Sequence, residues 1–86
     1  MATGIEYKLN QVDEYEDIIE TDMFRYLKDA KHHARLLAQA LPSGHRIEIE
    51  KIKVYWNDVE GVSGYVYGDM YNLTISGWIK TSKPWQ

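Results

Sequence analysis

Residues 23–41 read MFRYLKDAKHHARLLAQAL. Within them Leu27, Ala30, Ala34, Leu37 and Leu41 recur at intervals of three and four, which puts them on one side of a helix. Met23, Tyr26 and Ala38 widen that stripe. Asp22 or Thr21 can cap the start, and Pro42 with Gly44 ends it. The acids upstream and the bases within suit the helix dipole. The spacing therefore predicts one amphipathic helix over residues 23–41.

Downstream of Gly44 the period changes to two. Ile47 and Ile49 alternate with Arg46, Glu48 and Glu50, and then Ile52, Val54 and Trp56 alternate with Lys51, Lys53 and Tyr55. The phase slips between Ile49 and Ile52, which implies a bulge or a bend. Residues 57–61 have turn composition. Tyr65-Val66-Tyr67 reads as a strand and Gly68-Asp69 as the next turn. Leu73-Thr74-Ile75 with Trp78-Ile79 gives a last strand, interrupted at Gly77.

Upstream of the helix, Ile5, Tyr7 and Leu9 alternate as in a strand. Residues 15–21 are read as its hairpin partner, because adjacent Ile18 and Ile19 suit a half-buried strand. The competing reading extends the helix backwards through Val12, Tyr15 and Ile19, with Asp13 and Glu16 as a capping box. The expected fold is thus α+β: a small antiparallel sheet with one amphipathic helix packed on one face, in the order ββαβββ. The alternative is αβββ with a long N-terminal helix.

The chain has 86 residues, 44% apolar and 27% charged, which fits a single globular domain spanning residues 1–86. It has no cysteine, which excludes disulfides, zinc-thiolate sites, iron–sulfur clusters and cysteine nucleophiles. A small domain without staples is expected in a reducing cytoplasm. Residues 1–9 have no basic segment leading into an apolar run, so no signal peptide is expected there. No apolar run is long enough to span a bilayer, and the Asn72-Leu73-Thr74 sequon is not expected to be used.

Net charge is −3, distributed unevenly. Residues 1–22 carry −6 and residues 23–46 carry +4. On the helix, Arg25, Lys28, Lys31, His32 and Arg35 share the flank away from the leucines. That flank could meet phosphate, but such cations more often form a solvated face, and the acidic total argues against a dedicated nucleic-acid binder. Glu16, Asp17, Glu20 and Asp22 belong to an acidic run that could imitate phosphates for a basic partner, or simply support the helix start.

His32 and His33 are neighbours and point apart on a helix. Asp29 is within a turn of both, yet no third strong ligand joins them, and no metal or other cofactor is expected. His45 follows the helix stop, where it could cap the last carbonyls. No phosphate loop, nucleophile elbow or H-E-x-x-H pattern occurs, and no nucleophile is paired with a histidine at a recognisable offset. The chain is not expected to be an enzyme.

Aromatics are dense in the C-terminal half, and seven of the eleven in the chain are tyrosines. Tyr55 and Trp56 must point to opposite faces of a strand. One aromatic set therefore faces the helix and another lies on the far face of the sheet, where tyrosine and tryptophan favour interfaces. Tyr55, Tyr65, Tyr67, Tyr71 and Trp78, with the acids Glu16, Asp17, Glu20 and Asp22, are the expected contacts of a small protein-binding module or inhibitor. Its partner is another protein or a second copy. The alternative is nucleic-acid binding through Arg25, Lys28, Lys31 and Arg35. A compact acidic domain without catalytic motifs is similar in general profile to small accessory proteins of phages and mobile elements, a likeness carried by no particular residues.

Overall fold

In a computed structural model describing residues 2–59 and 61–86, the elements are β1 (Ala2–Val12), β2 (Ile18–Phe24), α1 (Leu27–Ala38), β3 (Arg46–Asn57), β4 (Gly61–Thr74) and β5 (Gly77–Thr81). The five strands form one antiparallel sheet in the order β2-β1-β3-β4-β5. The helix packs on one face, so the fold is α+β with the expected ββαβββ order.

The αβββ alternative is overturned at residues 13–22. Asp13 Oδ1 accepts the N–H groups of Tyr15 (2.9 Å) and Asp17 (3.0 Å), and Glu16 takes a positive φ of 68°. The residues that read as a capping box thus close a loop, which is what a short carbonyl-bearing side chain also does well. The chain then returns along β1, with Gln11 opposite Glu20, Leu9 opposite Asp22 and Tyr7 opposite Phe24.

The helix begins four residues later than its spacing suggests. Met23 and Phe24, in β2, pair with Lys8 and Tyr7 of β1, and this ladder outweighs the good helix preference of methionine and the weaker one of phenylalanine. Thr21 and Asp22 are therefore strand residues and not caps. Tyr26 occupies the cap position with no side-chain hydrogen bond. At the other end Gln39, Ala40 and Leu41 donate to carbonyls three residues back, so the coil tightens beyond Ala38. The His45 ring does not cap these carbonyls; its Nδ1 accepts from Gln11 Nε2 at 3.1 Å.

The phase slip in β3 has a different origin from the one its pattern suggests. β3 itself runs unbroken over Arg46–Asn57. The irregularity lies in β4, where Gly68 and Asp69 stand together opposite Lys51. Gly68-Asp69 is therefore a bulge inside a 14-residue strand and not a turn. The turn falls at Ile75-Ser76, and the expected last strand is in fact the end of β4 followed by β5. In the 57–61 turn the Val59 N–H donates to Asn57 Oδ1 at 3.0 Å; Glu60, like Met1, lies outside the described residues.

Two packing arrangements follow. Beneath the helix, buried Ala30 and Ala34 let it approach Leu9, Ile47, Ile49 and Tyr71 closely, with Tyr7, Phe24, Leu27, Leu37, Leu73 and Trp78 around them. Farther along the sheet the burial changes sides: Ile52 and Val54 are each 2% exposed on the opposite face. A Cβ on Gly4 would lie 2.5 Å from the Trp56 ring, and one on Gly68 would lie 2.8 Å from the Trp85 ring. Both glycines leave room for an indole against the backbone. Trp85 is held there by Gln86, which exchanges two backbone hydrogen bonds with Tyr67, and by Lys53, whose Nζ lies 4.7 Å from its ring centroid.

Ile49→Ala should cost about 2–4 kcal/mol in chemical denaturation, because Ile49 sits fully buried under the helix. Ile75→Ala, at a fully exposed turn position, should change stability by less than about 0.5 kcal/mol.

Candidate functional site

The register fixes which side chains share the face without the helix. Thr21, Asn10, Glu48 and Asn72 form one row across the sheet, and Met23, Lys8, Glu50 and Met70 form the next. Ile52 with Tyr67 and then Val54 with Tyr65 continue it toward Trp56 and Val62. The shift between Gln11 and Val12 brings Ile18 beside Val12 on the same face. Among these, Ile18, Met23, Val62, Tyr65 and Tyr67 are exposed, as is Ile19, the unpaired residue at the register shift.

Two connected depressions mark this open face. One, of about 340 Å³, is lined by Lys8, Ile18, Glu50, Tyr67, Gly68, Met70, Lys83 and Gln86. The other, of about 280 Å³, is lined by Lys8, Met23, Ile52, Tyr65 and Tyr67. Lys8 and Tyr67 belong to both, and the Lys8 ammonium lies 5.7 Å from the Tyr67 ring centroid. Tyrosine, isoleucine and methionine side chains line both, and the first also holds two cations, Lys8 and Lys83, and the Glu50 carboxylate. Burial pushes the Glu50 carboxyl above its usual range; Lys8 and Lys83 oppose that shift and Glu48 adds to it.

The expected binding aromatics divide between faces. Tyr65 (57% exposed) and Tyr67 lie on the open face. Tyr71 and Trp78 belong to the core under the helix, and burial raises the Tyr71 hydroxyl pKa. Tyr55 is half-buried and faces the helix side, in register with Thr3 and Gly64.

The acids divide as well. Glu16 is hydrogen-bonded to Arg46, which holds its carboxyl below the usual range. Asp22 lies 3.4 Å from His33. Asp17 and Glu20 are exposed.

Of the expected basic flank, Arg25 falls in the bend before the helix and not on it; Arg25, Lys28 and Arg35 are exposed, but Lys31 is half-buried. Its ammonium lies 5.2 Å from the Tyr71 ring centroid and 5.6 Å from that of Trp78. The basic flank thus yields one of its cations to the core. Among the described residues no group of three or more His, Asp or Glu could hold a metal ion, and no helix is long and apolar enough to cross a membrane.

Sequence spacing did not assign Ile18, Met23, Lys8, Glu50 and Met70 to this surface. Met23 had been absorbed into the helix stripe, and Lys8 and Glu50 are set side by side only by the β1–β3 register. The pairing of Ile18 with Ile19 was the one local signal. No protein-family model, curated protein or solved structure matches the chain.

The raised Glu50 pKa means that ionised Glu50 costs stability above its folded pKa. That cost disappears below the unfolded value of about 4.3. Glu50→Gln should raise the melting temperature at pH 7. The gain should vanish in melts below about pH 4.

Proposed function

We propose that this protein is a non-enzymatic protein-binding module, acting as an adaptor or inhibitor, whose contact surface is the open face of the sheet. The observation that carries the reading is the grouping of Tyr65, Tyr67, Met23 and Ile18 around the two joined depressions. Ile18, Ile19, Met23, Val62, Tyr65 and Tyr67 are each 40–57% exposed. Spread along the face from Ile18 to Val62, they present on the order of 600 Å² of exposed surface, below the ~800 Å² per partner of a standard interface. Tyrosine anchors such contacts at low entropic cost because it has few rotatable bonds. Methionine and isoleucine supply adaptable apolar walls.

Lys8 and Glu50 give the surface orientation. A partner must meet a cation and a half-buried carboxylate at fixed positions among apolar side chains, which favours specificity over simple greasiness. The basic helix flank supports nucleic-acid binding less well, because Lys31 is committed to Tyr71 and Trp78.

The test is quantitative capture of partners from the source cell with the wild-type chain, Tyr65→Ser/Tyr67→Ser, and an Ile75→Ser control. A specific protein should be retained by wild type and control, and weakened about thirtyfold or more by the double variant. Equal retention by all three, with the double variant folded by circular dichroism, would remove the open face as the contact surface.

A further inference from the structure

The open face ends at β2, and that edge carries information about what docks there. Among the described residues β2 pairs with β1 alone, so its outer row of backbone N–H and C=O groups can accept another strand. Natural sheets block such edges with lysine, proline or a covering segment. β2 carries no lysine or proline: it reads Ile18-Ile19-Glu20-Thr21-Asp22-Met23-Phe24, its first four residues are all exposed, and its only edge devices are the two acids Glu20 and Asp22 and the register shift at Ile18-Ile19.

The side chains alternate in a defined way. Glu20 and Asp22 lie on the helix side, in register with Gln11 and Leu9, whereas Thr21 and Met23 lie on the open side. Asp29, one helical turn before His33, shares the flank that brings His33 to Asp22. Above the sheet the edge therefore carries Glu20 and Asp22, the latter 3.4 Å from His33, and below it Thr21 and Met23.

This pattern disfavours a second copy of β2. In a two-fold antiparallel pair with both helices on one side, residues opposite each other share a face. The three central registers then set Glu20 against Asp22, Glu20 against Glu20, or Asp22 against Asp22, and like charges directly opposite destabilise a pair.

We propose that the β2 edge accepts an extended segment of a partner protein as a sixth strand, with basic and apolar residues alternating along it. Two cations separated by one residue meet Glu20 and Asp22, and the apolar residues between and beside them continue the open face next to Met23 and Ile18. Main-chain hydrogen bonds supply affinity and the alternation supplies selectivity. The proposal rests on the protein-binding reading above and adds the partner's chemistry and mode of docking.

The test uses the full chain and three blocked heptapeptides: alternating Lys–Val, alternating Glu–Val, and the Lys–Val peptide with N-methylated backbone amides. Binding is read by amide chemical shifts and hydrogen exchange. The Lys–Val peptide should bind, shift and protect residues 18–24, and lose about fivefold in affinity with Glu20→Lys. The Glu–Val and N-methylated peptides should not bind. Equal binding of the N-methylated peptide would reduce the effect to charge alone and overturn the proposal. So would no binding at millimolar Lys–Val peptide, shifts centred on β5 or the helix, or protection of residues 18–24 in a peptide-free dimer. If the peptide fails while native capture still depends on Tyr65 and Tyr67, the edge proposal falls and the open-face reading stands. If the peptide binds but capture ignores those tyrosines, the reverse holds.

Discussion

One helix is too short to cover this sheet, and most features of the molecule follow from that mismatch. Twelve helical residues reach about 18 Å, whereas the twelve residues of β3 extend about 40 Å. Where the helix lies, β3 turns Ile47 and Ile49 toward it. Beyond its reach that side of β3 carries Lys51, Lys53 and Tyr55, and the aliphatic side chains move to the opposite face as Ile52 and Val54. The change of side needs no break in β3, only a change in which face is worth burying. The bulge at Gly68 and Asp69 sits at this crossover, where extra strand twist is useful and where Trp85 settles against the glycine.

The uneven charge of the sequence is likewise partly spent and partly free. Arg46 takes up Glu16, His33 meets Asp22, and Lys80 lies 3.6 Å from Asp69. These contacts are solvent-exposed and each contributes little to stability. Their effect is to position the loop before β2, the helix flank and the β4–β5 hairpin. Lys31 has a different role, with its ammonium over the Tyr71 and Trp78 rings. The net result is that the acids of the β2 side are met partly from the helix, through His33, and from Arg46 of β3, while Glu20 and Asp17 stay exposed.

The fold class and element order were legible because both periods are strong: the leucine and alanine stripe of α1, and the alternation in β1 and β3. What could not be read was register. Tyr65, Tyr67 and Tyr71 look equivalent in sequence, yet the two-residue bulge between them sends Tyr71 into the core and leaves the other two on the open face. Met23 fits the helical stripe as well as it fits β2, and only its pairing with Lys8 decides between them. The Asp13 loop was hidden for a related reason, since the same carbonyl-bearing residue serves a helix start or a tight turn. Long-range pairing, absent from any local window, chose in each case.

The open face is not a core awaiting a second layer. Its centre is already closed: Ile52 and Val54, flanked in register by Tyr67 and Tyr65, are each 2% exposed, and Asn10 and Val12 are equally inaccessible. The Asn10 carboxamide even leaves its Nδ2 buried with no hydrogen-bond acceptor, while its Oδ1 takes the Thr21 hydroxyl at 3.0 Å. A partner therefore gains little by covering the middle of the sheet. The area left to gain lies in two places: Ile18, Ile19 and Met23 of β2 at the sheet edge, and Tyr65 and Tyr67 of β4, with β1 and β3 between them. The apolar residues at the β2 edge favour a partner that approaches from the side and continues the sheet over one that caps it from above. The chain is small, and its buried fraction is correspondingly low. A bound strand that extends both the ladder and the apolar residues of this edge would therefore stabilise the domain through mass action as well as occupy its surface.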